Sequence, residues 1–288
     1  VMIIIADCGG TKSDWALVCD DRTVVRMQTG GINPLHQSED DIVKQLDAVA
    51  QEVTRIRAAA STLDIYFYGA GCNAVGTGIV SAILARVFAP LAPGLHVWSD
   101  LLGAARSLCQ HAEGIACILG TGSNSCLYDG ESIAANTPPL GYILGDEGSG
   151  ADLGKHFLHD LLKGQLPEQL CDEFYSSCQL SYPQVIQRIY QQPRANSFLA
   201  SLAPLIHCHL DNQQVYDMVL DRFRSFVHYN LKPYRRPDLP VSFVGSVAYY
   251  FRDLLAEAIE REGLKMGIVA RTPMAGLLAY HGVDAADV

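Results

Sequence analysis

The chain has 288 residues, 49% of them hydrophobic, and its 31 acidic against 21 basic side chains give a formal net charge of -10. This length predicts two domains or one α/β domain with insertions, and the acidic charge, relieved only by a short basic run at 232–236, argues against nucleic acid as a partner. Nine scattered cysteines without C-x-x-C spacing, with no leader and no membrane-spanning run, predict a cytoplasmic protein with reduced thiols.

Strand-like and helix-like segments alternate in the first part of the chain. Strands are predicted, in chain order, at 2–6, 14–19, 23–28, 63–71 and 96–100. Helices are predicted at 39–60 and in the apolar stretch before Pro90, where Arg86 excludes a membrane span, and another helix begins at Asp100. This alternation predicts a parallel or mixed sheet that is covered on both faces.

The opening pattern returns near residue 114. Residues 114–135 again read as a strand, a Gly/Thr-rich turn, a second strand, a tight turn and a third strand. A helix-rich region (148–233), a strand (239–246), a helix, a short strand and a last helix (272–280) follow. The repeat predicts two similar α/β lobes, 1–112 and 113–288, with ligands in a cleft between them and the last helix as a candidate to pack back on the first lobe.

Three glycine turns follow apolar strands: "DCGGTKS" at 7–13, "GTGSNS" at 120–125 and "GSV" at 245–247. Backbone amides in such turns can bind phosphate oxygens, and glycine permits close approach. A single turn of this kind is more often only structural, but three at comparable positions of a repeated frame favour an anionic ligand. The spacing fits neither G-x-x-x-x-G-K-[ST] nor G-x-G-x-x-G, which disfavours a P-loop and a nicotinamide site.

The segments "DCGGTKSDW", "WSD", "GTGSNS", "GDEGSG" and "VGSV" occur in the order and spacing of a known superfamily. From Ile3 to Gly276, the chain resembles the N-acetylglucosamine kinase branch of the BadF/BadG/BcrA/BcrD group of actin-like ATPases. The resemblance implies a two-lobed, duplicated, ribonuclease H-like α/β fold with nucleotide and sugar in the interlobe cleft. It also implies ATP and Mg²⁺ as cofactors.

The resemblance assigns roles to individual residues. Asp7 is expected to organise Mg²⁺, through water, and Asp100 to accept the proton of the attacking sugar hydroxyl. The expected nucleotide-binding residues are Gly9, Gly10, Thr11, Lys12, Gly120, Thr121, Gly122, Gly245, Ser246 and Gly276. The expected sugar-binding residues are Asn33, Asp100, Ser123, Asn124, Gly141 and Asp146.

Local structure offers another explanation for several of these residues. Asp100 could cap the helix that it opens, and Asn33 could cap a turn before Pro34. The acidic residues at 146–147 precede a helix, where they complement its dipole whatever their function. The glycines at 245 and 276 could serve close packing alone.

The function expected from the resemblance is ATP-dependent phosphorylation of an amino sugar, with N-acetylglucosamine 6-phosphate as the foremost product. N-acetylmuramic acid, N-acetylmannosamine and glucosamine remain alternative substrates, since Leu140 stands where animal relatives carry Trp. A BadF-type ATPase activator is a second alternative, although Cys171 and Cys178 lack the expected cluster motif. A sugar-sensing repressor is a third, disfavoured because only six residues precede Asp7. Sugar and ATP are the expected partners, and a homodimer is left open.

Overall fold

Two five-stranded sheets organise the chain in a computed structural model, which describes residues 1–57 and 61–283. The strands are β1 Met2–Cys8, β2 Lys12–Val18, β3 Val24–Gly30, β4 Leu63–Gly69, β5 Gly94–Ser99, β6 Gly114–Leu119, β7 Ser123–Tyr128, β8 Ile133–Ala135, β9 Pro240–Val244 and β10 Lys265–Ala270. The helices are α1 Glu39–Ile56, α2 Ala74–Val87, α3 Asp100–Cys109, α4 Gly141–Leu144, α5 Gly150–Leu162, α6 Glu168–Cys178, α7 Tyr182–Tyr190, α8 Ala195–Ala200, α9 Ala203–Cys208, α10 Gln213–Phe226, α11 Ser246–Tyr250, α12 Arg252–Arg261 and α13 Met274–Tyr280.

The chain divides into two units by its internal contacts. Unit 1 contains residues 1–112, 130–132 and the segment from Pro273 onward, and unit 2 contains 113–129 and 133–272. Helix α13 therefore belongs to unit 1, where it packs on α3 and β1. No helix of the described residues is both long and apolar enough to cross a membrane.

Unit 1 is built on a sheet in the order β3-β2-β1-β4-β5. The three strands on one side are antiparallel, whereas β1, β4 and β5 run parallel. Alternate residues of β1 enter different apolar clusters: Ile4 packs with the residues of α1 and α2, and Ile5 with those of α13. Burial on both faces explains why this strand is continuously apolar.

Unit 2 repeats this arrangement with the order β8-β7-β6-β9-β10. Strands β6, β7 and β8 are antiparallel, and β6, β9 and β10 are parallel. One apolar cluster joins the sheet to helices α5–α12, with Phe157, Phe174, Phe223 and Phe243 fully buried. The predicted duplication of the α/β fold is confirmed.

The element boundaries depart from the sequence predictions in detail. The first helix starts at Glu39 as predicted, because the Ser38 side chain accepts a hydrogen bond from the Asp41 amide and caps it. It ends at Ile56, and positions 58–60 of the predicted helix lie outside the described residues. The helix-rich region contains an unpredicted feature: α10 continues into a π-helical turn over Val227–Leu231.

Candidate active site

The first glycine turn joins β1 to β2 in unit 1. The Gly9 amide donates to the Lys12 carbonyl over 2.9 Å, and the Gly31 amide donates to the Thr11 carbonyl over 3.0 Å. Gly31 has to be glycine, because a Cβ there would clash with the backbone of Gly10. A Cβ at Gly10, in contrast, would meet nothing within 4 Å. Protein packing therefore does not require glycine at position 10. The open space beside Gly10 leaves room for a ligand to approach the turn.

Asp7 and Asp14 are paired across β1 and β2, so their side chains share one face of the sheet. Lys12 Nζ lies 2.9 Å from Asp14 Oδ2, and Gln28 Nε2 donates to Asp14 Oδ1 over 2.6 Å. Burial raises the pKa of Asp7 to about 7, the Asp100 and Asp14 carboxylates add to the rise, and Lys12 opposes it. Because the charged form of Asp7 is disfavoured, a cation beside this carboxylate would stabilise it.

The oxygen chemistry around Asp7 suits Mg²⁺. This ion prefers hard oxygen donors and commonly keeps several waters, with only one or two carboxylates from the protein. Among residues 1–57 and 61–283, no group of three or more His, Cys, Asp or Glu side chains is placed to hold a metal directly. The Asp7 carboxylate, with the Asp14 and Asp100 carboxylates nearby, fits this preference for oxygen donors.

Asp100 is the first residue of α3, directly after β5. The alternative role of helix cap is wrong for this residue: the cap is Ser99, whose Oγ accepts a hydrogen bond from the Leu102 amide over 3.2 Å. Asp100 Oδ1 accepts a hydrogen bond from its neighbour, the Leu101 amide, over 2.9 Å. Burial raises the pKa of Asp100 against this hydrogen bond. The structure thus frees the Asp100 carboxylate from capping.

Asn33 follows the Gly30–Gly31 end of the hairpin. Its Oδ1 accepts a hydrogen bond from the Leu35 amide over 3.0 Å, so the expected turn before Pro34 is present. Gly71 adopts φ 76°, and a Cβ there would clash with Asn33 Oδ1. Within the described residues, no hydrogen bond occupies the Asn33 side-chain nitrogen, which can still donate to a ligand.

The second glycine turn joins β6 to β7 in unit 2. The amides of Gly150 and Ala151, at the start of α5, donate to the carbonyls of Gly120 (2.8 Å) and Thr121 (3.1 Å). A Cβ at Gly120 would meet nothing within 4 Å, which repeats the situation at Gly10. Both turns are thus shaped by backbone hydrogen bonds and keep an open position beside a glycine.

Asp146 connects the "GDEGSG" loop to this turn. Its backbone lies in the left-handed region at φ 55°, and its Oδ1 accepts a hydrogen bond from the Ser123 amide over 3.2 Å. A Cβ at Gly122 would come within 3.0 Å of Asp146 Oδ2. Burial raises the pKa of Asp146, and the Ser123 amide opposes the rise. One carboxylate oxygen of Asp146, which the sequence predicts to bind the sugar, therefore already accepts a hydrogen bond from the second glycine turn.

Four more of the predicted residues lie outside the two glycine turns. Gly245 and Ser246 lie between β9 and α11 in unit 2, where φ 129° and the close Leu119 carbonyl both require glycine at 245. Gly141 opens α4 at φ 74°. Gly276 lies in unit 1, in α13, where a Cβ would clash with the Ser107 carbonyl of α3. Close helix packing explains this glycine, and its role beside a nucleotide stays a prediction.

Sequence reasoning missed three polar residues of these regions. Asp14 could have been found, because residues two apart in a strand share a face and Lys12 was already a candidate. Asp152 accepts from the Gly148 amide over 3.0 Å; burial opposes ionisation, yet the hydrogen bonds from His156 and Gly148 lower its pKa. Asn230, 3% exposed, donates to Glu147 from 83 residues away, and no local pattern indicates that contact.

Comparison with known proteins identifies the family. A putative N-acetylglucosamine kinase from Porphyromonas gingivalis superposes with a TM-score of 0.90 at 45% sequence identity, over 97% of this chain and 98% of that one. The chain belongs to the N-acetylglucosamine kinase-like family. It is therefore a sugar kinase, and such kinases use ATP. These relatives do not support the alternative of an ATPase activator.

More distant structures show the fold alone. A putative N-acetylglucosamine kinase from Chromobacterium violaceum matches at 23% identity with a TM-score of 0.72, over 97% of this chain and 98% of that one. A glucose complex of hexokinase from Schistosoma mansoni matches at 12% identity with a TM-score of 0.53, over 97% and 84%. The fold is thus the duplicated actin-like ATPase fold. No family model and no curated protein sequence matches the chain.

Proposed function

We propose that the protein transfers the γ-phosphoryl group of ATP to the 6-hydroxyl of N-acetylglucosamine. The single observation that carries the choice of sugar is the 45% identity to the Porphyromonas gingivalis protein along nearly the whole of both chains. Asp100 supports the phosphoryl transfer, because a half-buried carboxylate that does not cap its helix is suited to receive a proton.

The proposed step uses the residues in separate roles. The sugar oxygen attacks the γ-phosphorus, its proton passes to Asp100, and the bond between the γ-phosphorus and the leaving ADP oxygen breaks. Phosphoryl transfer depends mainly on positioning and on charge stabilisation. The open space beside Gly10 and beside Gly120 would receive phosphate oxygens, and Asp7 would orient the hydrated Mg²⁺. Bound Mg²⁺ would neutralise phosphate charge.

A sugar panel tests this proposal. ADP release from Mg-ATP would be measured with N-acetylglucosamine, N-acetylmuramic acid, N-acetylmannosamine, glucosamine and glucose. We expect the highest kcat/KM with N-acetylglucosamine and a product that carries phosphate at oxygen 6 by NMR. A higher kcat/KM with another sugar of the panel would change the proposed substrate, and the proposed kinase activity would stand. Failure to use any of them would overturn the proposed function.

A further inference from the structure

A buried hydrogen bond reaches the "GDEGSG" loop from the far end of α10. Asn230 Nδ2 donates to Glu147 Oε2 over 3.1 Å, and Asn230 is only 3% exposed. The residue lies in the π-helical turn Val227–Leu231 and continues the buried stripe of Phe223 and Phe226. An apolar side chain would be the ordinary choice there, because a buried amide is costly without a partner.

The backbone of this turn is held from the opposite side. The Asn230 carbonyl accepts hydrogen bonds from Ser125 Oγ and Thr137 Oγ1, each over 3.2 Å. Tyr234 completes the support, since its hydroxyl shares a 2.7 Å hydrogen bond with Ser125 Oγ and accepts from the Thr137 amide over 3.0 Å. Both ends of Asn230 are therefore restrained, and its amide is fixed toward Glu147. π-Helical turns are frequent at functional sites.

Glu147 accepts the hydrogen bond from this restrained amide. It is half-buried beside Asp146, whose carboxylate supports the Gly122–Ser123 turn. Within the described part of the chain, Asn230 is its sole side-chain hydrogen-bond partner, and no cation pairs with it. The Oε1 atom thus remains able to accept a hydrogen bond. A hydroxyl group suits this acceptor, because it brings a donor without a negative charge.

We propose that Glu147 accepts a hydrogen bond from a hydroxyl of the sugar and that Asn230 is the positioning residue that fixes the Glu147 carboxylate for this contact. The proposal rests on the proposed function and deepens it, because it assigns sugar specificity to Glu147, next to the predicted sugar ligand Asp146 in the "GDEGSG" motif, and to Asn230, which lies outside the quoted motifs. Asn230 acts only through Glu147 and takes no part in the chemistry.

Two variants separate the roles. In Glu147→Gln, the amide oxygen can still accept from Asn230, while the other side-chain atom becomes a neutral donor and can no longer accept the proton of the sugar hydroxyl. Asn230→Leu keeps the branched shape of the side chain and the backbone carbonyl contacts but removes the amide. We expect the KM for sugar to rise about tenfold or more in Glu147→Gln and about fivefold in Asn230→Leu, with the KM for ATP within twofold of the parent. Ser177→Ala, which removes a hydroxyl of α6 in the same unit, is the control, and its sugar KM should stay within twofold.

Monodeoxy sugars give a readout that a merely structural role would not change. The parent enzyme should discriminate against the analogue that lacks the contacted hydroxyl by about tenfold or more, and both variants should lose this discrimination. An active parent whose variants keep its sugar KM and its discrimination overturns this inference alone. A rise in the KM for ATP equal to the rise for sugar also overturns it. A parent that phosphorylates no sugar overturns the proposed function and the inference with it.

Discussion

Ser99 and Asp100 are adjacent in sequence but have separate tasks at the start of α3. Ser99 caps the helix, and Asp100 keeps its carboxylate available. We expect Asp100→Asn to lower kcat about 10²–10⁴-fold, the scale of general base catalysis, because an amide cannot accept the proton. Its thermal stability should change little, since the amide oxygen can still accept from Leu101. Steady-state kinetics and thermal unfolding check both parts.

The neighbouring cap provides the control for this prediction. Ser99→Ala should cost about 1 kcal/mol of unfolding free energy through loss of the cap, with kcat within a few-fold of the parent. Ser38→Ala removes the corresponding cap of α1 and should cost a similar amount. An Asp100→Asn enzyme that works within a few-fold of the parent would remove Asp100 from the mechanism.

Asp146 allows a second test on a single residue. Asn tolerates the left-handed backbone and can accept from the Ser123 amide, so Asp146→Asn should keep the KM for ATP within about threefold. Asp146→Ala loses that hydrogen bond and the short polar side chain that helps Asp and Asn adopt a backbone at φ 55°, which together should cost about 1–3 kcal/mol and raise the KM for ATP. Kinetics and urea unfolding measure both effects. If the two variants behave alike, Asp146 does not support the turn.

At the scale of elements, the packing of α13 on α3 depends on one missing side chain. A Cβ at Gly276 would clash with the Ser107 carbonyl, so Gly276→Ala should cost about 1–3 kcal/mol of unfolding free energy. Gly78 in α2 is the matched control, since a Cβ there meets nothing within 4 Å. Gly78→Ala should gain about 0.5–1 kcal/mol from helix propensity. Equal effects in urea unfolding would show that α13 does not pack this closely.

The chain after α13 is held to the sheet of unit 1 by His281. Its Nε2 lies 3.0 Å from the Tyr68 hydroxyl, which also accepts from Arg106. Burial, with the nearby Arg106 and His96, lowers the pKa of His281 from 6.5 to about 4. Below pH 6.5 the unfolded chain therefore binds a proton that the folded chain refuses, and folding is weakened as the pH falls toward 4.

This linkage predicts a measurable loss of stability in acid. After allowance for partial exposure, His281 should account for about 2 kcal/mol between pH 7 and pH 4. His281→Gln should remove that part of the decline, whereas other groups keep theirs. Urea unfolding at several pH values gives the difference between parent and variant. Parallel pH profiles for the two proteins would contradict the assignment.

At the scale of the whole molecule, each unit has its own apolar core. One large cluster lies in unit 2, and two smaller clusters lie on the two sheet faces of unit 1. Both tryptophans of the chain, Trp15 and Trp98, lie in unit 1. We therefore expect tryptophan fluorescence in urea to follow unit 1 and to give a midpoint different from that of far-UV circular dichroism. Coincident midpoints would show a single cooperative unfolding.

The sequence by itself indicated most of the elements and proposed the residues of the candidate site. Buried parallel strands are continuously apolar, hairpin turns need glycine and helix starts carry caps, so residues such as Gly9 and Ser38 are recognisable from local pattern. The repeated strand–turn–strand motif likewise predicted the duplicated fold. Each of these signals is carried by neighbours in the chain, which is why it is visible without coordinates.

Only the tertiary structure decided which polar groups meet across the sequence. The contacts of Asp146 with Ser123, of Asn230 with Glu147 and of His281 with Tyr68 join distant segments, and their partners follow from strand order and helix packing. The sequence likewise does not show why position 276 is glycine, because the carbonyl that excludes a side chain there belongs to another helix. Burial also set the proton affinities of Asp7 and His281, since desolvation exists only once the chain has folded around them.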